Sequence, residues 1–323
     1  MSDNRSLLIR KKIICLDQFA ASKMDNKEGE WGYARELLYH AVKDNLVICP
    51  IPMEHYVETS KRSLEKAIST DSLLRSLSIG YSFKPWEYIV MGEILSVLES
   101  QKPISWEVLY FNPISESMNF RNRIFWEQCS NATKLYHEYS SREKDKLNSL
   151  QKLMRTRPAK KQSALMLISA IMTCSALQYA ETFRKVAEIE CLPDFNITGY
   201  MPTHERIALM MRKQNFSKDT LLSVAEEFDK NHFNNIPSLY TFYSMKGYKT
   251  VMYENTSVND GVDLERISSG INISDFLFTD KRQKEKLQML GLDQRYGTKV
   301  YSPLDCKAFI EDLKHSFMKS DDL

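Results

Sequence analysis

Two short apolar runs, Ile13-Ile14-Cys15-Leu16 and Leu46-Val47-Ile48-Cys49, constrain this chain more than any other feature. Both are rich in β-branched residues, both are too short for a helix, and Asp17 and Pro50 close them. Runs of that kind read as buried strands. Between them, Trp31 to Val42 carries Leu37, Leu38 and Val42 at helical spacing, and Pro52 opens a further helix through His55, Tyr56 and Glu58. Strand, helix, strand, helix predicts a right-handed parallel α/β unit.

From about Leu73 to Asn235 the texture is helix after helix: Glu87 to Leu98, Phe125 to Tyr139, a stripe of Leu147, Leu150 and Met154 ended by Pro158, then Ala164 to Ala187 and Leu221 to Phe228. The chain has only 10 Gly and 10 Pro in 323 residues, which suits long helices with few tight turns. After Pro237 the α/β texture is expected to return. Asp260 to Gly270 reads as a helix stopped by Gly270, Ile273 to Phe278 as a strand delivering Thr279 and Asp280, and Lys299 to Tyr301 as another strand. A last helix follows with Phe309, Leu313 and Phe317 on one stripe and Ser302 as its N-cap. The expected organisation is one α/β domain in two parts, residues 1–70 and 236–323, interrupted by a large all-helical insertion over residues 71–235.

The hydrophobic share of 43% and charged share of 27% exclude collagen-like, low-complexity and disordered readings. Residues 1–19 show no secretory pattern. Six dispersed cysteines without a CxxC read as free thiols in a reducing compartment, so a cytoplasmic location is expected. The most apolar stretch, Ala164 to Leu177, has 14 residues, short of the ~20 that span a bilayer, and reads as a buried core helix with no membrane role. Phosphate-loop, GxGxxG, GxSxG and HExxH patterns do not occur.

Ligands of parallel α/β sheets bind at the carboxyl ends of the strands. Asp17 and Asp280 end two predicted strands, Asp263 opens the helix before the second, and Glu58 lies on the helix leaving Leu46–Pro50. Four carboxylates converging on one edge would repel one another, and a divalent cation is the usual remedy. All-oxygen ligation favours Mg²⁺ or Mn²⁺. Taken singly, each residue has a plainer role: Asp17 and Asp280 as helix N-caps, Asp263 as a first-turn acid, Glu58 as an exposed helix residue. Glu54 lies one turn before Glu58 and can assist it, and Thr279 can orient a ligand through its hydroxyl. His55 can touch a phosphate or simply be packed. Lys281 and Arg282 can meet a phosphate, with a solvated loop charge as the default, and Asp275 is structural.

These segments carry a family resemblance. Asp263 to Asp280, DLERISSGINISDFLFTD, resembles the third and fourth acidic motifs of PIN-like domain nucleases, IICLDQF resembles the first, and CPIPMEHYVET resembles the second. The similarity covers about residues 10–60 and 235–318 and leaves the middle unexplained; large bacterial PIN-like proteins with helical insertions are the nearest picture. It implies a PIN-like parallel sheet flanked by helices and an Mg²⁺- or Mn²⁺-dependent endonuclease, most often an endoribonuclease. Asp17, Glu58, Asp263 and Asp280 carry over as catalytic metal ligands, with in-line attack by metal-activated water. A bacterial toxin or antiphage role, held quiet by an antitoxin or regulatory protein, follows from the family alone.

For substrate, the segment Arg142 to Lys161 holds eight Lys/Arg and two Asp/Glu, a net of +6 within a chain of +2. Lys152 and Arg155 lie off its apolar stripe, where they suit phosphate-backbone contacts, RNA before DNA; a solvated helix face explains them equally. Two rival functions remain open. One is a PIN-like scaffold that binds nucleic acid or protein without cleaving, and the other is a phosphohydrolase acting on a small phosphate ester.

Overall fold

The computed structural model describes residues 11–99, 111–114, 118–131, 133–134, 141, 161–190, 201–252, 254 and 260–318. The chain divides into two compact units: Met1–Lys84 with Trp106–Lys134 and Ser269–Leu323, and Pro85–Ser105 with Leu135–Ser268. The helical unit therefore runs past Pro237, where α/β texture was expected to resume, as far as Ser268. Residues 71–84, expected in the helical middle, fall in the α/β unit.

The first unit is α/β. Its strands are β1 (Lys12–Cys15), β2 (Val47–Ile48), β3 (Tyr81–Phe83), β4 (Phe111–Pro113), β5 (Phe276–Phe278) and β6 (Lys299–Tyr301). Helices α1 (Gln18–Asp25) and α2 (Glu30–Lys43) join β1 to β2; α3 (Met53–Thr59) and α4 (Leu64–Ser78) follow β2. Four strands form a parallel sheet in the order β2-β1-β5-β6, with Ile13 opposite Ile48, Cys15 opposite Leu277, and Phe278 opposite Tyr301. Burial explains the sequence of β1: Ile13, Ile14 and Cys15 are all enclosed, as both faces of a parallel sheet must be.

Aromatic side chains fill the core. Phe278 packs edge-on against Phe309 at 4.7 Å and against Trp31 at 5.8 Å, while Trp31 also meets Phe19. Strands β3 and β4 pair antiparallel although residues 84–110 separate them, a pairing that was not foreseen; Ile51 bridges it to the end of β2 through Ser82. Helices α1 and α4 were also missed as separate elements.

Asp275 has the structural role expected of it. Its carboxylate accepts from Lys12 Nζ at 2.6 Å and from the Ile13 amide at 2.9 Å, tying the amino ends of β1 and β5 together.

After β5 come α11 (Lys281–Met289) and α12 (Leu292–Tyr296), then β6 and α13 (Cys306–Met318). Ser302 is not the N-cap of α13, which begins four residues later. Its amide and hydroxyl instead donate to Asp305 Oδ2, at 2.6 and 2.5 Å.

The second unit is helical in its described residues: α5 (Trp86–Leu98), α6 (Lys161–Ala187), α7 (Thr203–Lys213), α8 (Lys218–Asn231), α9 (Pro237–Val251) and most of α10 (Asp260–Gly270). Tyr179, Phe183, Phe228, Phe233 and Tyr243 form its aromatic centre. The fully buried Glu93 accepts from the amide and hydroxyl of Ser238, at 2.9 and 2.8 Å, and so supplies the cap that Pro237 cannot.

The expectation of a buried core helix at Ala164–Leu177 is met only in part. Ala164, Ile168 and Ala176 are packed, yet Leu165, Met166, Leu167 and Leu177 are exposed. The stronger packing, at Tyr179, Phe183 and Val186, lies beyond that stretch. By length and composition alone α6 is apolar enough to cross a bilayer, but its second half is built into protein core.

Gly270 also differs from its expected role. It has no positive φ; instead, a Cβ there would stand 2.8 Å from Cys15 Sγ, so glycine is needed for close approach of α10 to β1. The five described cysteines, Cys15, Cys49, Cys129, Cys174 and Cys306, are free thiols, as expected. The basic segment with Lys152 and Arg155 lies outside the described residues, apart from Lys161 at the start of α6.

Candidate functional site at the carboxyl edge of the sheet

The strand order switches between β1 and β5: β1 leads by α1 and α2 to β2 on one side, and β5 by α11 and α12 to β6 on the other. The crevice beyond the carboxyl ends of those two strands is where such sheets bind ligands. Continuing the Cys15–Leu277 register by two residues brings Asp17 alongside Thr279, with Asp280 next.

Asp17 and Asp280 have the same local structure. Each has extended backbone, at φ −92° ψ 159° and φ −63° ψ 162°, and each caps the helix it precedes. Asp17 accepts from the Phe19 amide at 3.2 Å, and Asp280 from the Gln283 amide at 2.9 Å. The sequence left open whether these acids were caps or ligands, and the cap is present at both. Between them, the Thr279 amide donates to Tyr301 O at 2.9 Å, while its hydroxyl is fully buried with no hydrogen-bond partner among the described residues.

His55 is not directed at a ligand. It is fully buried, and its Nε2 lies 2.8 Å from the carbonyl of Leu16, which can only accept. That bond sets the Nε2–H tautomer and leaves Nδ1 as acceptor. The Gln18 amide fits when its nitrogen donates to Nδ1 at 2.7 Å, its oxygen then accepting from Thr59 Oγ1 at 3.1 Å and from the Arg62 guanidinium at 3.2 and 3.3 Å. Both ring nitrogens are thereby used in joining α3 to the end of β1. The packed-histidine alternative describes His55, and its auxiliary role on a phosphate or metal-bound water falls away.

Arg62 extends this network to Ser22 and Thr70, and Thr70 passes it to Asp25. Burial pulls the pKa of Arg62 down, while Asp25 and Glu58 push it back up. Glu58 thus has a guanidinium as its counter-charge. Glu54 lies in the first turn of α3, where an acid suits the helix dipole. Gln18, Thr59 and Arg62 were not foreseen, because a polar network drawn from separate helices and the turn after α3 has no periodic signature.

Asp263 belongs to the other unit. It sits in the first turn of α10, and the fully buried Arg266 donates to it at 3.2 Å. Asp17 and Asp280 thus bond helix termini and Asp263 accepts from Arg266, while Glu58 lies near enough to Arg62 for their charges to interact. Among the described residues, no group of three or more His, Cys, Asp or Glu side chains is placed to hold a metal ion. Helix termini and arginines thus offset part of the negative charge locally. Lys281 and Arg282 are exposed on the first turn of α11, Lys281 standing 3.9 Å from Glu285. Comparison with protein-family models, with curated proteins and with solved structures finds no match to this chain.

Proposed function

We propose that this chain is an Mg²⁺- or Mn²⁺-dependent phosphodiesterase acting on nucleic acid, RNA before DNA, at the crevice between β1 and β5. The observation that carries this reading is the placement of Asp17 and the Thr279-Asp280 pair at the ends of the two adjacent central strands, where the strand order reverses. Two carboxylates and a hydroxyl are hard oxygen donors, and Mg²⁺ is commonly held by one or two carboxylates while water and substrate phosphate complete its shell. By donor type, though not by any cluster of three among the described residues, these side chains suit that ion.

Asp17 and Asp280 would hold it, each with one carboxylate oxygen steadied by a cap bond. When bound, the ion supplies charge for the developing phosphoryl oxygens and lowers the pKa of water. The Thr279 hydroxyl, orphaned in a buried position, is the group available to orient a ligand. Lys281 and Arg282 oppose the dipole at the start of α11, where acids would stabilise the helix. Breaking that local preference is reasonable for residues that receive phosphate oxygens. An antitoxin or regulatory partner, and a role in defence, rest on the family resemblance alone.

A second reading, a scaffold that binds without cleaving, is favoured by a different observation: Asp17, Asp280 and Asp263 already bond protein groups, and Glu58 lies near Arg62. Labelled RNA and single- and double-stranded DNA, incubated with the protein and Mg²⁺, Mn²⁺ or EDTA, separate the two. Metal-dependent cleavage lost in Asp17→Asn supports the nuclease. Binding without turnover supports the scaffold, and metal-independent cleavage rejects the proposed site.

A further inference from the structure

A cleft of about 440 Å³ runs along the open edge of β6, walled by Lys284 and Gln288 of α11, Asp293 of α12, and Asp305, Ala308 and Asp312 before and on α13. It is separate from the crevice between β1 and β5. Its floor is a strand edge. The Lys299 amide donates to Asp275 O at 3.0 Å, and Tyr301 O accepts from the Thr279 amide, so Lys299 and Tyr301 face β5. In a parallel pair the intervening residue points the other way, and Val300 turns its N–H and C=O toward the cleft.

On either side of Val300 the chain closes its own edge. The Thr298 amide donates to Asp293 O at 3.0 Å, and the Ser302 amide to Asp305 Oδ2 at 2.6 Å. Among the described residues the Val300 peptide has no partner, leaving one donor and one acceptor. That is the main-chain element to which an extended segment adds as a further strand.

The walls decide what kind of segment fits. Lys284 bonds Asp305 at 2.9 Å, and Lys299 and the Tyr301 hydroxyl bond the two oxygens of Asp312 at 2.5 and 2.7 Å. Burial alone would raise both carboxyl pKa values. Hydrogen bonds from Ser302 and Lys284 to Asp305, and from Lys299 and Tyr301 to Asp312, outweigh it and hold both below the usual range. With Asp293 there are three carboxylates against two lysines. A second copy of this chain would bring the same excess of negative charge to the same edge, so self-pairing is opposed.

We propose that this cleft is a docking site for an extended, basic peptide segment of a partner protein, which pairs with the Val300 main chain and sets a lysine or arginine against Asp305 and Asp312. Edge strands are often merely blunted by charge and covering loops. What differs here is a cavity beside the one residue left unpaired.

The probe is a blocked hexapeptide of alternating valine and lysine, compared with its valine–glutamate counterpart, each titrated into the isotope-labelled full chain. The lysine peptide is expected to shift the amides of residues 298–302 and slow exchange at Val300, while the glutamate peptide does neither. Ala308→Arg fills the cleft from an exposed helix position, and Asp312→Asn removes one carboxylate. Each is expected to weaken binding at least about tenfold while the chain remains folded. Silence at Val300, equal binding of the two peptides, or unchanged affinity in both variants would overturn the proposal. Concentration-dependent self-association abolished by Ala308→Arg would overturn it too, by assigning the edge to a second copy.

Discussion

Asp280 can be perturbed so that its two roles come apart. Its carboxylate caps α11 through the Gln283 amide at 2.9 Å, and it is also a proposed metal ligand. Asparagine caps a helix about as well as aspartate, whereas alanine does not; loss of such a cap costs about 1 kcal/mol, within a range of roughly 0.5–2. In a domain of this size that lowers the melting temperature by about 2–4 °C per kcal/mol. Asp280→Ala is therefore expected to melt a few degrees early, and Asp280→Asn within about a degree of the parent. Cleavage should behave differently. Asparagine keeps the shape but not the charge that holds a divalent cation, so both variants should lose at least about 100-fold in kcat/KM, the upper end for losing even an outer partner of a metal. The assay pairs calorimetry with cleavage of labelled RNA at saturating Mg²⁺. Wild-type cleavage by Asp280→Asn would refute the ligand role and leave a cap. An unshifted melt for Asp280→Ala would refute the cap.

Two further outcomes test the fold. Gly270→Ala puts a Cβ 2.8 Å from Cys15 Sγ, so denaturant unfolding should show a loss of about 1–3 kcal/mol, with partial recovery when Cys15→Ala is added. For pH, the Asp305 carboxyl is held below its ordinary value of about 3.9. A depressed folded pKa contributes stability that is full above the unfolded value and is lost as pH falls through the folded one. Below about pH 4 the parent should lose stability more steeply than Asp305→Asn, and parallel acid-denaturation curves would contradict this.

The α/β framework was legible because its signals are local. Ile13 to Leu16 and Leu46 to Cys49 must be strands, being too short and too apolar to be anything else, and both lie in the sheet. The helix at Asp260–Gly270 and the strand at Lys299–Tyr301 were bounded by their own residues. What was missed depends on tertiary partners. Helix α1 begins at Gln18, directly after a strand, with its apolar residues short and scattered. The β3–β4 pair joins segments far apart in sequence, and Ile51 gives Ser82 and its neighbours a second strand edge, contacts no local pattern announces. The unit boundary is similar: α9 and the first nine residues of α10 look like any helices, and only packing assigns them to the helical unit.

The carboxylates show where sequence reasoning about a site stops. It placed Asp17 and Asp280 at strand ends, and strand ends are where they are. The step from acids near one edge to acids that need a cation assumed that nothing else would answer their charge. Arg266 does so for Asp263 from within the motif segment itself, and Arg62, just past the CPIPMEHYVET segment, places a positive charge near Glu58. Repulsion is thus a poor guide to a metal, because a nearby guanidinium, on the same helix for Asp263 and in the following turn for Glu58, can offset it as an ion does. A buried polar atom left without a partner is a better one. The fully enclosed Thr279 hydroxyl carries a desolvation penalty of about 1–3 kcal/mol that nothing in the described protein offsets. If a ligand at the edge offsets it, Thr279→Val should be neutral or stabilising in the isolated chain and should weaken Mn²⁺ or nucleic-acid binding. A valine variant that is less stable and binds equally well would place the hydroxyl in the core, with no part in the site.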